Sequence, residues 1–336
     1  MSKPIFVIGC PRSGNTLCGS ILNKHPDLLI LFETRMFWEL DRLWLRRSKI
    51  EGGSPERLFA ELVHARLARY NEPAGVALAD IVDRVRDRGP AFGPMLDAYV
   101  RLLMERVKPE ASRWGDKTPH HAITMRRILD SYSDAQFVSV VRSPLGTVNS
   151  LSKKSFPYAT DNNLLNAEIV RRALIRYERQ KRLVPADNLL EIRYEAIVDA
   201  PEQTVRRICD FLGVAYHDHL LGEADQRTRE FIGEPRDKSW SRITPQASQK
   251  TTRIGPLVRA HIGAWNRRLG YPVEARTFGG LYRILAFLRV LPFRLLHVVL
   301  SAGWAVKYPG FPFIMQNRPT LRNFAYWIRL KETPES

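Results

Sequence analysis

A glycine-rich octet, GCPRSGNT at residues 9–16, directly follows the apolar run at residues 5–8. Its spacing matches the phosphate-binding loop G-x-x-x-x-G-K-[ST], in which a strand leads through the loop into a helix. Such a loop directs backbone N–H groups and a helix N-terminus at an anion. Asn15 occupies the lysine position, and Arg12 lies within the loop. We therefore expect a phosphate-like ligand rather than a hydrolysed nucleoside triphosphate, with an ordinary turn and helix cap as the simpler alternative.

Apolar, strand-like runs alternate with helix-like segments along most of the chain. Residues 28–32, 137–141 and 188–192 are such runs, and FVSVV at 137–141 is typical of a strand buried on both faces. The alternation predicts an α/β fold, a P-loop-like three-layer α/β/α arrangement around a central, mostly parallel sheet. Ligand-binding groups collect at the carboxyl ends of such strands. The polar residues at the predicted strand ends are Arg12, Glu33, Lys117, Arg142 and Tyr194.

Composition divides the chain into residues 1–275 and residues 276–336. Within the first part, from about residue 55 to residue 110, apolar residues recur at three- and four-residue intervals, which predicts a helical insert. The second part is basic, aromatic and apolar, and no window in it reaches the ~20 charge-free residues of a spanning helix. This pattern favours a helix that lies in a membrane interface. A helix packed on the core, with arginine stems along its surface, is the alternative.

The chain is strongly basic, with 52 Lys and Arg residues against 35 Asp and Glu residues and a net charge of +17. Such a field attracts polyanions, and we expect a phosphorylated cofactor and an anionic membrane surface rather than nucleic acid. Cys10, Cys18 and Cys209 are too few for a disulfide framework or a metal cluster and are expected to be buried thiols. Since the first strand leaves no room for a signal peptide, we expect a cytoplasmic protein, peripheral on the inner face of a membrane.

Two segments resemble motifs of the sulfotransferases that use 3′-phosphoadenosine 5′-phosphosulfate (PAPS). PRSGNTL at residues 11–17 resembles the family's 5′-phosphosulfate loop, commonly P-[RK]-S-G-T-T-L, and departs from it at Asn15. FVSVVRSP at residues 137–144, followed by Ser150, resembles the 3′-phosphate motif of a strand, an arginine and a serine eight positions later. The resemblance covers about residues 4–272.

Within the family, the chain is most similar to the tyrosylprotein sulfotransferase branch and its bacterial relatives. HPD at residues 25–27 and FETR at residues 32–35 resemble the segment with the catalytic glutamate. GDKTP at residues 115–119 resembles the lysine segment, and RYE at residues 193–195 resembles the segment whose tyrosine lies near the adenine.

The resemblance implies in-line transfer of the sulfuryl group from PAPS to an acceptor hydroxyl, which leaves 3′,5′-ADP. Glu33 would act as the general base, Lys117 would stabilise the sulfuryl and bridging oxygens, and Arg12 would hold the departing 5′-phosphate. No metal is expected, because fixed cations stabilise the charge. The residues implied to bind the cofactor are Arg12, Ser13, Gly14, Asn15, Thr16, Arg142, Ser150, Tyr194 and Arg253.

Several of these roles have a simpler alternative. Glu33 could form a surface ion pair with Arg35. Lys117 could pair with Asp116 at a helix start, and Tyr194 could only pack in the core.

The function has alternatives as well. A lipid or glycan is the expected acceptor, and a tyrosyl or phenolic peptide is the alternative. Two other classes of protein compete with this function: a P-loop kinase-like phosphotransferase and a non-catalytic protein that binds polyanions or membranes. The sequence makes no prediction of the oligomeric state.

Overall fold

The computed structural model describes five stretches of the chain, residues 3–50, 53–152, 162–222, 254–272 and 280–307. Side chains are described there except at positions 293 and 296–307. The chain forms two compact units. The first unit is Met1–Val141 with Arg176–Ser248, and the second is Arg142–Ile175 with Gln249–Ser336.

One parallel sheet organises the first unit. Its five strands are β1 (Ile5–Gly9), β2 (Leu28–Phe32), β3 (Arg113–Lys117), β4 (Gln136–Val141) and β5 (Leu189–Arg193). The strand order is β2-β3-β1-β4-β5, and every neighbouring pair is parallel. In this register Phe32 lies opposite Lys117, and Gly9 lies opposite Val140. The predicted α/β class with a parallel central sheet is confirmed.

Helices make up most of the remaining described chain. They are α1 (Asn15–Asn23), α2 (Asp41–Ile50), α3 (Pro55–Arg66), α4 (Ala68–Ala74), α5 (Leu78–Val85), α6 (Phe92–Val107), α7 (Met125–Ser131), α8 (Pro144–Ser152), α9 (Asn163–Lys181), α10 (Tyr194–Asp199), α11 (Pro201–Leu212), α12 (Pro256–Arg268) and α13 (Gly280–Lys307). A π-helical turn, Met36–Leu40, precedes α2, and a 3₁₀ turn, Pro119–Ile123, precedes α7.

Two apolar clusters lie on opposite faces of the sheet, because successive side chains of a strand point to opposite sides. Phe6 and Ile8 of β1 belong to a cluster that includes residues of α3, α5, α6 and α7. Ile5 and Val7 belong to a second cluster, with residues of α1, α10 and α11. All four of these strand residues are fully buried. The sheet is therefore the middle layer of the predicted three-layer α/β/α fold.

The segment predicted as a helical insert contains α3 to α6, between β2 and β3, and it is bonded to the outer edge of β2. The hydroxyl of the buried Tyr70 donates to the carbonyl oxygen of Phe32 at 2.7 Å and accepts from the backbone N–H of Phe32 at 2.6 Å. The Arg69 guanidinium also donates to the Phe32 carbonyl. Burial raises the pKa of Tyr70 to about 12, so its hydroxyl remains a donor at neutral pH. The insert thus fixes β2 at the residue before Glu33.

The second unit is helical in its described residues. Helix α12 contacts both α8 and α13. Val148 of α8, Ile262 of α12 and Val290 of α13 are fully buried. Among the described residues, no helix is both long enough and apolar enough to cross a membrane.

Replacing Tyr70 with phenylalanine should lower the free energy of unfolding by about 1–3 kcal/mol, because the buried N–H of Phe32 loses its acceptor. Chemical denaturation monitored by circular dichroism measures this change. Tyr216→Phe is the matched control, since Tyr216 packs its ring against the Arg206 guanidinium at 3.8 Å and that contact needs no hydroxyl. Equal stability of the two variants would contradict the conclusion that the Tyr70 hydroxyl holds β2 through Phe32.

Candidate active site

The loop between β1 and α1 is closed by its own hydrogen bonds. Ser13 donates from its backbone N–H and from its Oγ to the carbonyl oxygen of Cys10, at 3.1 and 2.7 Å. Arg12 (φ 72°) and Gly14 (φ 101°) both have left-handed backbone conformations. A Cβ atom at Gly14 would also overlap with the ring of Tyr194. Tyr194, which is 9% exposed, therefore lies directly against the loop.

Asn15 stands where phosphate-binding loops have lysine, and its side chain is turned into the loop. Its Nδ2 donates to the carbonyl oxygen of Cys10 at 3.0 Å, and its Oδ1 lies 3.3 Å from Ser13 Oγ. Gly9 makes room for this amide, since a Cβ atom there would lie 2.6 Å from Asn15 Oδ1 and 2.5 Å from the Val140 carbonyl oxygen. The Asn15 side chain therefore stabilises the loop from within, and its backbone N–H is the group left for an anion.

Helix α1 begins directly at the loop, with Gly14 as its N-cap. The cap makes no side-chain hydrogen bond to the helix, and the first turn contains no acidic residue. Cys18 N–H donates to the Gly14 carbonyl at 3.1 Å, so the earlier N–H groups, including that of Thr16, lie at the open end of the helix. These N–H groups and the positive end of the helix dipole favour a phosphate or sulfate group at this end.

Glu33 directly follows β2, Lys117 is the last residue of the neighbouring strand β3, and their side chains form an ion pair. Lys117 Nζ lies 2.6 Å from Glu33 Oε1, and the backbone N–H of Glu33 donates to the Lys117 carbonyl at 2.9 Å. The Lys117 side chain is 3% exposed, whereas that of Glu33 is 43% exposed. Glu33 has a left-handed backbone (φ 53°), which turns the chain away from β2. The pair thus presents a carboxylate to solvent and keeps a partly shielded cation behind it.

The Lys117 side chain passes between β3 and the helix that follows the phosphate loop. Its Cβ and Cγ atoms lie 3.1 and 3.0 Å from the position of a Cβ atom at Gly19 of α1. Its ammonium lies 5.0 Å from the centre of the Phe32 ring. Any side chain at position 19 would crowd this path. Lys117 ends β3 rather than starting a helix, and its partner is Glu33, so the sequence alternative of a pair with Asp116 is not adopted.

A buried polar cluster supports the turn that carries Glu33. Thr34 Oγ1 donates to Asp116 Oδ2. Asp116 Oδ1 lies 3.3 Å from His121 Nδ1, and the backbone N–H of Phe37 donates to His121 Nε2 at 3.3 Å. Because Nε2 accepts a hydrogen bond, we assign the ring proton to Nδ1. The side chains of Asp116 and His121 are fully buried. This cluster was not predicted from the sequence, although Thr34 and Asp116 adjoin Glu33 and Lys117, two of the predicted catalytic residues.

A cleft of about 170 Å³ opens beside Glu33. It is lined by Glu33, Thr34, Arg35, Glu39, Leu40, Leu43 and Arg66. Glu39 pairs with Arg35 at 3.5 Å and with Arg66 at 3.2 Å. Arg35 is thus paired with Glu39, while Glu33 is paired with Lys117. The cleft combines charged groups with two leucines and places them next to the exposed carboxylate.

Arg142 and Ser150 belong to the second unit, whereas the loop, Glu33, Lys117 and Tyr194 belong to the first. Arg142 directly follows β4 and precedes α8. The turn after it is fixed to α12, because Ser143 Oγ and the backbone N–H of Leu145 both donate to Asn266 Oδ1, at 3.1 and 3.2 Å. Arg253 lies outside the described residues.

The cysteine thiols are unsuited to nucleophilic chemistry at neutral pH. Burial raises the pKa of Cys10 and of Cys18 to about 12 and that of Cys209 to about 11. A thiol with such a pKa is almost entirely protonated at pH 7. Within the described residues, no group of three or more His, Cys, Asp or Glu side chains is arranged to hold a metal ion.

Known proteins share both the sequence pattern and the fold. A family model described as the sulfotransferase family matches residues 4–218. The protein-tyrosine sulfotransferase of Drosophila melanogaster is 24% identical over 254 residues, which cover 73% of this chain and 44% of that protein. Protein-tyrosine sulfotransferase 1 of Danio rerio is 24% identical over 279 residues, which cover 80% of this chain and 67% of that protein.

Solved structures agree at the level of the fold. The sulfotransferase domain from the Synechococcus PCC 7002 olefin synthase has a TM-score of 0.57 and 20% identity, and covers 82% of this chain and 98% of its own. The sulfotransferase domain from the curacin biosynthetic pathway has a TM-score of 0.56 and 18% identity, and covers 82% of this chain and 99% of its own. The matched family model spans more than half of the chain and includes the loop, Glu33 and Lys117, and the chain therefore belongs to the sulfotransferase family.

Proposed function

We propose that the protein transfers a sulfuryl group from PAPS to an acceptor hydroxyl, with 3′,5′-ADP as the second product. The observation that carries this proposal is the Glu33–Lys117 pair at 2.6 Å, built beside the helix that follows the phosphate loop. Sulfuryl transfer needs a base for the acceptor proton and cations for the charge that moves to the leaving group. The pair supplies one of each.

The phosphate loop supports a donor site for the 5′-phosphosulfate. The residues we assign to it are Arg12, Ser13, Gly14, Asn15 and Thr16. We assign loop closure to the side chains of Ser13 and Asn15, and anion binding to the N–H groups at the start of α1, to Thr16 and to Arg12. We place the adenine near Tyr194, whose ring adjoins the loop.

We assign the 3′-phosphate to Arg142 and Ser150. The sheet supports this assignment, because β4 pairs in parallel with β1 and Arg142 is joined to the last residue of β4. Groups at the carboxyl ends of neighbouring parallel strands commonly bind one ligand. Arg253 is proposed as a further phosphate contact on the resemblance alone.

The residues of the chain divide the chemistry between them. PAPS supplies the sulfuryl group and a phosphate leaving group. Glu33 accepts the proton of the acceptor hydroxyl while the new O–S bond forms, and Arg12 stabilises the phosphate oxygen as its bond to sulfur breaks. A sulfonate near Lys117 gives this ammonium a second anionic partner and leaves the Glu33 carboxylate available to the acceptor.

The acceptor class rests on two different observations. A lipid or glycan hydroxyl follows from the basic, apolar C-terminal segment. A tyrosyl peptide is favoured by the relatives, whose names describe protein-tyrosine sulfotransferases. We assign the acceptor to the cleft beside Glu33, whose charged residues Arg35, Glu39 and Arg66 favour a polar group next to the hydroxyl. The cytoplasmic location, at the inner face of a membrane, is likewise a proposal.

The two competing classes fit the site less well. A P-loop kinase-like phosphotransferase uses a loop lysine, and the Asn15 side chain at that position is bonded within the loop. A protein that only binds polyanions would not need the buried Lys117 ammonium to be paired with the exposed Glu33 carboxylate.

The 3′-phosphate assignment predicts a nucleotide preference. By titration calorimetry, 3′,5′-ADP should bind about 10- to 100-fold more tightly than 5′-AMP, because an arginine–phosphate contact stabilises only the first. Arg142→Ala should remove the preference. Arg283→Ala is the matched control, since this arginine is exposed and lies in the same unit. Equal affinity of the wild-type protein for both nucleotides would refute the assignment.

Glu33→Gln should reduce turnover of ³⁵S-labelled PAPS by at least about 100-fold and leave 3′,5′-ADP binding intact, because the amide cannot accept the acceptor proton. The acceptors in the assay are a cell lipid extract, a glycan mixture and a tyrosyl peptide. Glu61→Gln serves as control, since its side chain is 41% exposed and, like that of Glu33, pairs with a cationic side chain, here Arg57. Normal turnover by Glu33→Gln would exclude Glu33 as the base, and the labelled product identifies the acceptor class.

A further inference from the structure

Helix α13 carries a continuous apolar stripe on its exposed side. Five of its leucine and isoleucine side chains are each 41–66% exposed. They are Leu281, Ile284, Leu285, Leu288 and Leu295. Their spacing of three, four and seven residues places them on one face of a helix with 3.6 residues per turn. Single exposed leucines are ordinary, but a stripe of this kind marks an interaction surface.

The opposite face of α13 is the one that packs on the second unit. Ala286 and Val290 are fully buried. Two residues after Ala286, about 200° further around the helix, Leu288 is 53% exposed. The orientation of the helix is therefore settled by its packing, and the apolar stripe faces away from the unit.

A buried carboxylate fixes this orientation. Glu168 of α9 is fully buried, and Arg294 of α13 donates to it through Nε and Nη2, both at 3.0 Å. His261 of α12 lies 2.8 Å from the same carboxylate. Burial by itself would raise the pKa of Glu168, but hydrogen bonds from His261, Arg171, Arg294 and Arg172 outweigh it and hold the pKa far below its ordinary value. Glu168 thus stays ionised and joins the three helices.

The sequence around α13 carries charge of one sign. Residues 275–331 contain nine of the 52 Lys and Arg residues of the chain and none of its 35 Asp and Glu residues. Arg289, about 40° around the helix from Leu285 of the stripe, is exposed and forms no ion pair with any acidic side chain in the described part of the chain. Apolar side chains flanked by cations complement a surface whose interior is hydrocarbon and whose outer layer is anionic.

We propose that α13 binds an anionic lipid surface, with its axis in the plane of the membrane and its apolar stripe among the acyl chains. Arg289 then lies at the level of the lipid phosphates. The Glu168–Arg294 pair acts as the positioning contact that keeps the stripe directed outwards. This surface is independent of the sulfuryl transfer proposed above, and its test needs neither PAPS nor an acceptor.

The test is co-sedimentation of the full-length protein with vesicles of phosphatidylcholine alone or mixed with phosphatidylglycerol. Wild-type protein should bind the mixed vesicles, and binding should weaken with salt. Replacing both Ile284 and Leu288 with aspartate should weaken binding at least about tenfold, because two apolar side chains leave the acyl region. Arg289→Gln should weaken binding to mixed vesicles about fivefold and leave the weak binding to neutral vesicles unchanged.

The matched control replaces Ile50 and Leu183 with aspartate. These side chains are 70% and 49% exposed and lie in the first unit. Vesicle binding of the control should equal that of the wild type, and the far-UV circular dichroism spectrum serves as the measure of folding for every variant. Absence of wild-type binding, or undiminished binding of the Ile284/Leu288 variant, overturns the proposal. Conversion of a wild-type dimer to a monomer by that variant, seen by light scattering, also overturns it and assigns the stripe to a second copy.

Discussion

The ammonium group of Lys117 is the charge on which the candidate site depends. A cation that is 3% exposed is costly unless a carboxylate lies next to it. The parallel pairing of β2 with β3 supplies that carboxylate, because Phe32 lies opposite Lys117 and Glu33 is the next residue. The same register joins the Glu33 N–H to the Lys117 carbonyl. Sheet geometry, rather than side-chain flexibility, therefore sets the distance between the proposed base and the proposed electrostatic catalyst.

In the proposed donor site, Lys117 takes the place of the lysine that phosphate-binding loops carry at position 15. At position 15 an asparagine bonds to the Cys10 carbonyl and closes the loop. The cation that we propose instead is Lys117 at the end of β3, and the absence of a side chain at Gly19 leaves room for its stem beside α1. In this proposal, Asn15 closes the loop and Lys117 of β3 supplies the positive charge.

Much of this arrangement could be predicted from the sequence, because its signals are local. The strand-loop-helix order around residues 9–16, the apolar strand at residues 137–141 and the polar residues at strand ends all lie in short segments. The contacts that fix the turn after β2 are not local. Thr34 meets Asp116, and Tyr70 meets Phe32, across 82 and 38 residues of chain. No spacing rule joins such residues, since the sheet order and the insert bring them together.

In the C-terminal segment, too, the sequence pattern alone does not determine how the helix is placed. Its amphipathic sequence was compatible with packing on the core and with lying in a membrane interface, because each needs an apolar stripe. Which of these two arrangements applies depends on which face of α13 is buried. Ala286 and Val290 are covered, and the Arg294 bond to Glu168, 126 residues away in the chain, prevents the helix from rolling over. An inward arginine paired with a buried carboxylate thus leaves the larger aliphatic side chains facing outwards, with the exposed Arg289 beside them. A helix whose purpose was only to cover the core would bury those leucines and expose the alanine.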